Sequence, residues 1–407
     1  MAVIKNSALS SSSPSTQVVH GADHLRVLPD VAEPISMSTT YEYAEKDVDA
    51  NNYGPDQFYV YSREGTATMA KAEASLSILT EGHVVLYGSG LSAALAVLVE
   101  LKPKKIALGQ SYFGVKDVIE QYQGLVAGVE VVGIDDSYEG VDLVWSESPI
   151  NPTGEILDLA HYAKCAHAVG AKLVVDSTFA PPPLSYPFRQ GVDIVVHSAT
   201  KYMGGHSDLL AGVIVVKTPE MADHLRHVRG IFGLTAGNME AWLLLRSLKT
   251  LPLRVIQQAK TTQLLVNLLE SYRKTAVESE DHAPTDEEAA LGGPIQRVQY
   301  ASLQTFDSSF DVKAQYPLGF GAVFSLDFMS KEQALFVARQ LKLHAFATSL
   351  GGVESLVDWR YACDANAAPT LLRVSVGLES FEDLAADWKQ ALLALHEHEK
   401  ARTTAKN

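Results

Sequence analysis

Between about residue 66 and residue 217, short and almost wholly apolar runs alternate with longer stretches of helical spacing, and this rhythm constrains the fold more than any other feature. The runs are His83–Tyr87, Lys105–Leu108, Val129–Val132, Leu143–Ser146, Leu173–Asp176, Ile194–His197 and Val213–Val216. A strand can be apolar at nearly every position only when both of its faces are covered. Segments such as Leu91–Leu101 and Leu159–Val169 are long enough to serve as the covering crossover helices. The pattern predicts βαβ units and a mostly parallel sheet.

At 407 residues the chain exceeds what one ordinary hydrophobic core organises, so two domains are expected. Asn238–Tyr272 reads as one long helix, with Leu243, Leu244, Leu248 and Leu251 on an apolar stripe. Ala276–Gly293, containing EDHAPTDEEAA, reads as an exposed loop or insertion. From Pro294 the pattern changes. Ala322–Phe328 and Leu372–Val376 read as strands, and Lys331–Leu341 and Phe381–His396 as helices, giving a smaller α+β domain. The expected division is an N-terminal segment 1–65, a large domain 66–272 and a small domain 273–407.

The Ser-rich opening MAVIKNSALSSSSPST lacks the continuous apolar stretch of a secretion signal and reads as a disordered tail, so a cytoplasmic protein is expected. A formal net charge of −15 argues against nucleic acid and anionic membrane surfaces as partners, and no apolar run reaches membrane-spanning length. Cys165 and Cys363 lie outside any CxxC pair, which points to neither a zinc site nor a disulfide framework.

The chemistry concentrates in Val174–Gly212, which reads VVDSTFAPPPLSYPFRQGVDIVVHSATKYMGGHSDLLAG. One apolar strand ends at Asp176. The next ends near His197 and is followed by Ser198, Thr200 and Lys201. Ligands of open parallel sheets bind beyond the carboxyl ends of the strands. A lysine there can condense with a cofactor aldehyde. A carboxylate there can keep a pyridine nitrogen protonated, and neighbouring hydroxyls suit a phosphate. This combination fits pyridoxal 5'-phosphate (PLP). Upstream, HVVLYGSGLSAAL carries Gly88-Ser89-Gly90 from a strand into a helix, a junction whose free N–H groups make an anion cup. Tyr112 follows the next strand and can lie against a ring. Asn151-Pro152 in SESPINPTG gives a fixed turn that can aim an amide at a ligand. Tyr61 and Arg63 in FYVYSREGT add a candidate phosphate partner.

Together these segments resemble the Cys/Met-metabolism (trans-sulfuration) family of PLP enzymes. HSATKYMGGHSD is close to that family's lysine signature, and the likeness runs from about Thr16 to Leu393 through TQVVHGA, AWLLLRSLKTL, SLGGVESL and LRVSVGLES. The resemblance implies the PLP-dependent aminotransferase-like fold (fold type I), with a large domain on a mostly parallel sheet and a smaller C-terminal α+β domain. It implies Lys201 as the cofactor-bonding lysine and proton shuttle, Asp176 on the pyridine nitrogen and Tyr112 on the ring. Ser198, Thr200, Gly90 and Leu91 would hold the phosphate, and Asn151 the ring hydroxyl side. Tyr61 and Arg63 would reach the cofactor of a neighbouring subunit, so segment 1–65 becomes an arm, the active unit a homodimer and the assembly a homotetramer. The substrate would be a small amino acid, its α-carboxylate held by Arg373 beside Ser349, with Tyr61 also near it.

The chain departs from the family pattern in five places. Thr66-Ala67-Thr68 follows the YxR where NPT is usual, Ser177 follows Asp176 where Asn is usual, and VDWRYACDANAAPT replaces a longer loop. Thr348 stands where cystathionine γ-enzymes often carry glutamate, and Phe113 follows Tyr112 with no nearby cysteine. Two reactions follow from the resemblance: γ-replacement on an O-acylhomoserine-like substrate, with a sulfur or other nucleophile, or C–S β- or γ-elimination. A third reading is a relative that binds cofactor without turnover.

Overall fold

The computed structural model describes residues 9–26, 29–42, 60–277 and 284–404. The chain divides into two compact units, one of Met1–Glu147 with Asp158–Leu253, the other of Ser148–Leu157 with Arg254–Asn407. The division falls inside a long helix, at Leu253/Arg254, where the sequence reading set it at residue 272.

The first unit is built on seven strands: β1 (His83–Tyr87), β2 (Lys105–Leu108), β3 (Glu130–Gly133), β4 (Leu143–Glu147), β5 (Lys172–Asp176), β6 (Ile194–Ser198) and β7 (Gly212–Val216). Their order is β1-β7-β6-β5-β4-β2-β3. β3, β2, β4, β5 and β6 pair in parallel, and β7 is antiparallel to both β6 and β1, so it alone in this sheet runs backwards. The carboxyl ends of β1, β2, β4, β5 and β6 therefore share one edge. Both faces are covered. Val85, Tyr87, Trp145, Val174, Val196 and Ile214 pack with helices Gly90–Leu101, Phe113–Leu125 and Pro219–Phe232, while alternate residues such as Val84, Leu86, Leu173 and Val175 are equally buried.

The second unit carries a five-stranded sheet, β8 (Ile295–Gln299), β9 (Val323–Phe328), β10 (His344–Phe346), β11 (Ser355–Trp359) and β12 (Leu371–Ser375), in the order β10-β11-β12-β9-β8. All pairs are antiparallel except β10 with β11. Helices Lys331–Gln340 and Phe381–Thr404 belong to this unit.

Four expectations are corrected. The helix read over Asn238–Tyr272 is two, Asn238–Leu248 and Leu251–Val277. Pro252 lacks the N–H an uninterrupted helix would use there, and is tolerated only in the first turn of a new one. Within Ala276–Gly293, Asp286–Gly292 is a helix, started by a capping box in which Thr285 N donates to Glu288 Oε2 at 2.8 Å, with Ala290 and Leu291 buried; residues 278–283 lie outside the described part. Within the Ser-rich opening Leu9 is buried and Pro14–His20 is a helix with Pro14 in its first turn; residues 1–8 lie outside the described part. The segment read as the loop VDWRYACDANAAPT begins inside strand β11, whose last three residues are Val357–Trp359. Cys165 and Cys363 are unbridged. Among the described residues no helix is long and apolar enough to cross a membrane, and no group of His, Cys, Asp and Glu side chains could hold a metal ion.

Candidate active site

In the first unit, five strand ends deliver the candidate side chains to one edge. β1 leads into Gly88-Ser89-Gly90. Ser89 caps the following helix, its Oγ accepting from Ser92 N at 3.0 Å while Ser92 Oγ accepts from Ser89 N at 2.9 Å. The amides of Gly90 and Leu91, in the first turn, have no carbonyl four residues back within that helix. The turn is held close: a Cβ on Gly90 would lie 3.1 Å from Ser198 Cβ, and one on Gly212 only 2.0 Å from Ser89 O. Ser198 and the amide pair of Gly90 and Leu91 are thus one concavity, with the helix dipole adding positive potential.

β5 and β6 place the acid and the lysine. Asp176 lies opposite Val196 in parallel register. Desolvation by burial raises the Asp176 pKa, and hydrogen bonds from Thr178 offset part of that rise. Thr178 ties the two strand ends together: its N–H donates to Asp176 Oδ1 at 2.9 Å, and its Oγ1 accepts from Ser198 N at 2.8 Å. Beyond β6 the chain turns tightly, Lys201 N donating to Ser198 O at 3.1 Å and Gly205 N to Lys201 O at 2.6 Å. The Thr200 hydroxyl is engaged with Ala211, donating to its carbonyl at 3.2 Å and accepting from its N–H at 3.0 Å. Of the two expected phosphate hydroxyls, Ser198 is therefore the one packed against the Gly90 turn.

Tyr112 precedes helix Phe113–Leu125, and its backbone N–H donates to Glu147 Oε2 at 2.8 Å. Glu147, at the end of β4 and buried, was not singled out in the sequence; the signal available was an acid closing an otherwise apolar strand. The rings of Tyr112 and Phe113 lie 4.4 Å apart. Tyr61 and Arg63 stand on the surface of this unit, the guanidinium 5.1 Å from the Tyr61 ring centroid and Arg63 Nη1 3.1 Å from Glu64 Oε1. Their segment is fixed by Arg229, which donates to Glu64 O at 2.7 Å, and by the Thr235 hydroxyl on Arg63 O.

The remaining candidates belong to the second unit. Arg373, on β12, is buried and donates from Nη1 to Asn151 Oδ1 at 3.0 Å, and from Nη2 to Ser349 O at 3.0 Å and Asp358 Oδ2 at 2.9 Å. Ser349 has φ 81°, an uncommon conformation for a side-chain-bearing residue that turns its carbonyl onto the arginine. Asn151, Ser349 and Arg373 are thus brought together here, as Asp176, Ser198, Lys201 and Gly90 are in the first unit.

The first-unit groups suit PLP. A desolvated carboxyl is best stabilised by a proton-bearing cationic nitrogen, and the glycine-lined cup at a helix N-terminus suits a phosphate dianion.

Comparison with known proteins agrees. The family model described as Cys/Met metabolism PLP-dependent enzyme matches residues 15–393. Cystathionine gamma-lyase of Saccharomyces cerevisiae is 32% identical over 93% of this chain and 96% of its own length. Cystathionine gamma-synthase of Escherichia coli K12 is 32% identical over 89% of this chain and 93% of its own. The crystal structure of cystathionine gamma synthase from Xanthomonas oryzae superposes with a TM-score of 0.81 at 27% identity, covering 95% of this chain and 99% of that one. A match spanning nearly the whole chain, on a fold whose strand ends carry the lysine, the acid and the anion cup, establishes that this chain belongs to the Cys/Met metabolism family of PLP-dependent enzymes.

Proposed function

We propose that the chain acts on a small amino acid bearing a leaving group on its γ-carbon, and that it replaces that group with a nucleophile. The observation that carries the amino-acid reading is Arg373: a buried guanidinium ordered by three acceptors, the geometry suited to a carboxylate. When bound, PLP supplies the electron sink that stabilises negative charge at the substrate α-carbon.

The chain's residues supply the rest. Asp176 holds a proton on the pyridine nitrogen. Ser198 with the amides of Gly90 and Leu91 takes the phosphate, joined by Thr200, and Asn151 takes the ring hydroxyl side. Tyr112 lies on the ring. The Lys201 amine takes the proton from the α-carbon and returns one later. Arg373, with Ser349 beside it, holds the carboxylate. Tyr61 and Arg63, exposed on their own subunit, reach the phosphate and substrate of a neighbour in a homodimer, itself half of a homotetramer. In the replacement the γ-carbon–oxygen bond of an O-acylhomoserine breaks, its electron pair leaving with the carboxylate. The bond to the nucleophile forms at the same carbon, and the thiol proton accounts for the acid released.

Elimination is the second reading, favoured by the similarity to the yeast lyase. It would release a thiol, ammonia and a keto acid. Cofactor-saturated protein should be given O-acetylhomoserine with a thiol and, separately, cystathionine. The expected result is a thioether product identified by mass. Keto acid from cystathionine with no replacement product would transfer the assignment to the lyase.

A further inference from the structure

We infer that Asp358 is a positioning residue for carboxylate recognition, setting the aim of Arg373. This deepens the reading of Arg373 given above and rests on it.

Asp358 sits on β11 directly opposite Arg373 on β12, and Ser325 on β9 sits opposite Arg373 on the other side. Directly opposed residues of adjacent strands share a face and meet. Each member of this row grips something. Asp358 Oδ2 accepts from Arg373 Nη2 at 2.9 Å and from Arg360 Nη1 at 3.1 Å. Ser325 Oγ donates to Pro152 O at 2.7 Å, pinning the turn whose Asn151 Oδ1 accepts from Arg373 Nη1. Asp358, Arg360, Ser325 and Arg373 are all buried.

A guanidinium is a planar fork, so fixing Nη2 on one side and Nη1 on the other fixes its plane. Buried charge-assisted hydrogen bonds are strong, and their partners hold position. Asp358 thus sets the guanidinium plane, and Arg360 in turn holds Asp358. Without Asp358 the fork keeps its charge and its neutral acceptors, Asn151 Oδ1 on Nη1 and Ser349 O on Nη2, but loses the carboxylate that anchors it, so its aim loosens. Carboxylate binding suffers, while groups that recognise the amine end are left alone.

The test uses holoenzyme and calorimetric binding of L-norleucine, which lacks a leaving group, alongside n-pentylamine, the same amine without its carboxylate. Asp358→Asn should weaken norleucine about tenfold and leave pentylamine within roughly twofold. With O-acetylhomoserine the loss should fall on KM rather than kcat, and Asp358→Glu should recover part of it. Should Asp358→Asn not fold, the double variant Asp358→Asn/Arg360→Met, which leaves no unpaired buried charge between the two positions, carries the same expectation. Equal loss for both ligands, or none, overturns the proposal. Arg373→Ala separates the two readings. If it leaves norleucine binding unchanged, the carboxylate assignment itself fails. If it weakens norleucine and the Asp358 variants do not, only the positioning role fails.

Discussion

His197 is the buried residue just before Ser198 on β6, and burial pushes its imidazole down to about 4, a hydrogen bond with the Ser177 backbone offsetting part of the fall. The folded protein keeps it neutral, while the unfolded chain takes up a proton as pH drops below 6.5. Stability is therefore present above about 6.5 and lost between there and about 4, below which both states are protonated. The full loss from this residue is roughly 3 kcal/mol. Urea midpoints followed from pH 7 to pH 4.5 should fall less steeply in His197→Asn than in the native protein. Parallel slopes would remove the assignment. The same scale shows what a sequence carries and what it does not. Lys201, Asp176 and Gly90 stand at strand ends whose apolar runs announce them. Asp358 and Thr178 act through a partner that is distant in sequence or lies in a turn, so no local spacing marks them; Glu147 was marked only as an acid closing an apolar strand.

At the scale of elements, the edge strand β3 is mostly exposed and shows only its valine pair, while the inner strands of the first sheet were legible because burial on both faces leaves an unbroken apolar run. β8, β10 and β11 were not. β8 runs buried, exposed, exposed, buried, buried and so shows neither alternation nor an apolar run, β10 is three residues long, and β11 buries Ser355 and Asp358 among apolar neighbours, which breaks the pattern a strand is recognised by. The two helix errors had visible signals, Pro252 in one and Thr285 with Glu288 in the other, outweighed by a continuous leucine stripe and by surrounding acidity. β7 illustrates a constraint that only packing reveals. It begins at Gly212, against the Ser89 carbonyl, where even a methyl group would collide. Gly212→Ala should displace the Ser89–Gly90 turn and weaken PLP retention by more than about tenfold, since the cup's amides must point at one centre. Equilibrium dialysis of the coenzyme, with circular dichroism as a check on the fold, measures it; unaltered retention would mean the turn does not form the cup.

For the whole molecule, the exposure of Tyr61 and Arg63 matters most, because the proposal places them at another subunit's cofactor. Lys201→Ala and Arg63→Ala homo-oligomers should each be weak enzymes. Co-expressed, they should regain activity, because random pairing in a two-fold dimer gives about a quarter of sites both native groups. Activity no higher than the mean of the two variants would confine each site to one chain. The family, the fold class and the cofactor were legible from the sequence, since the lysine signature, the strand rhythm and the glycine turn are local. The choice between replacement and elimination was not, because both use the same cofactor-binding residues.

The excursion of Ser148–Leu157 has a consequence for how this protein is made. The chain leaves the first sheet after β4, spends ten residues as part of the second unit and returns for β5. Those residues are clasped by Tyr316, Gln304, Gln315, Ser325 and Arg373, all encoded much later. On the ribosome the decapeptide must wait, unmatched, until nearly the entire polypeptide has emerged. A gene cut at codon 253 would leave the first fragment with the whole of its own unit and the second without the ten residues its sheet clasps.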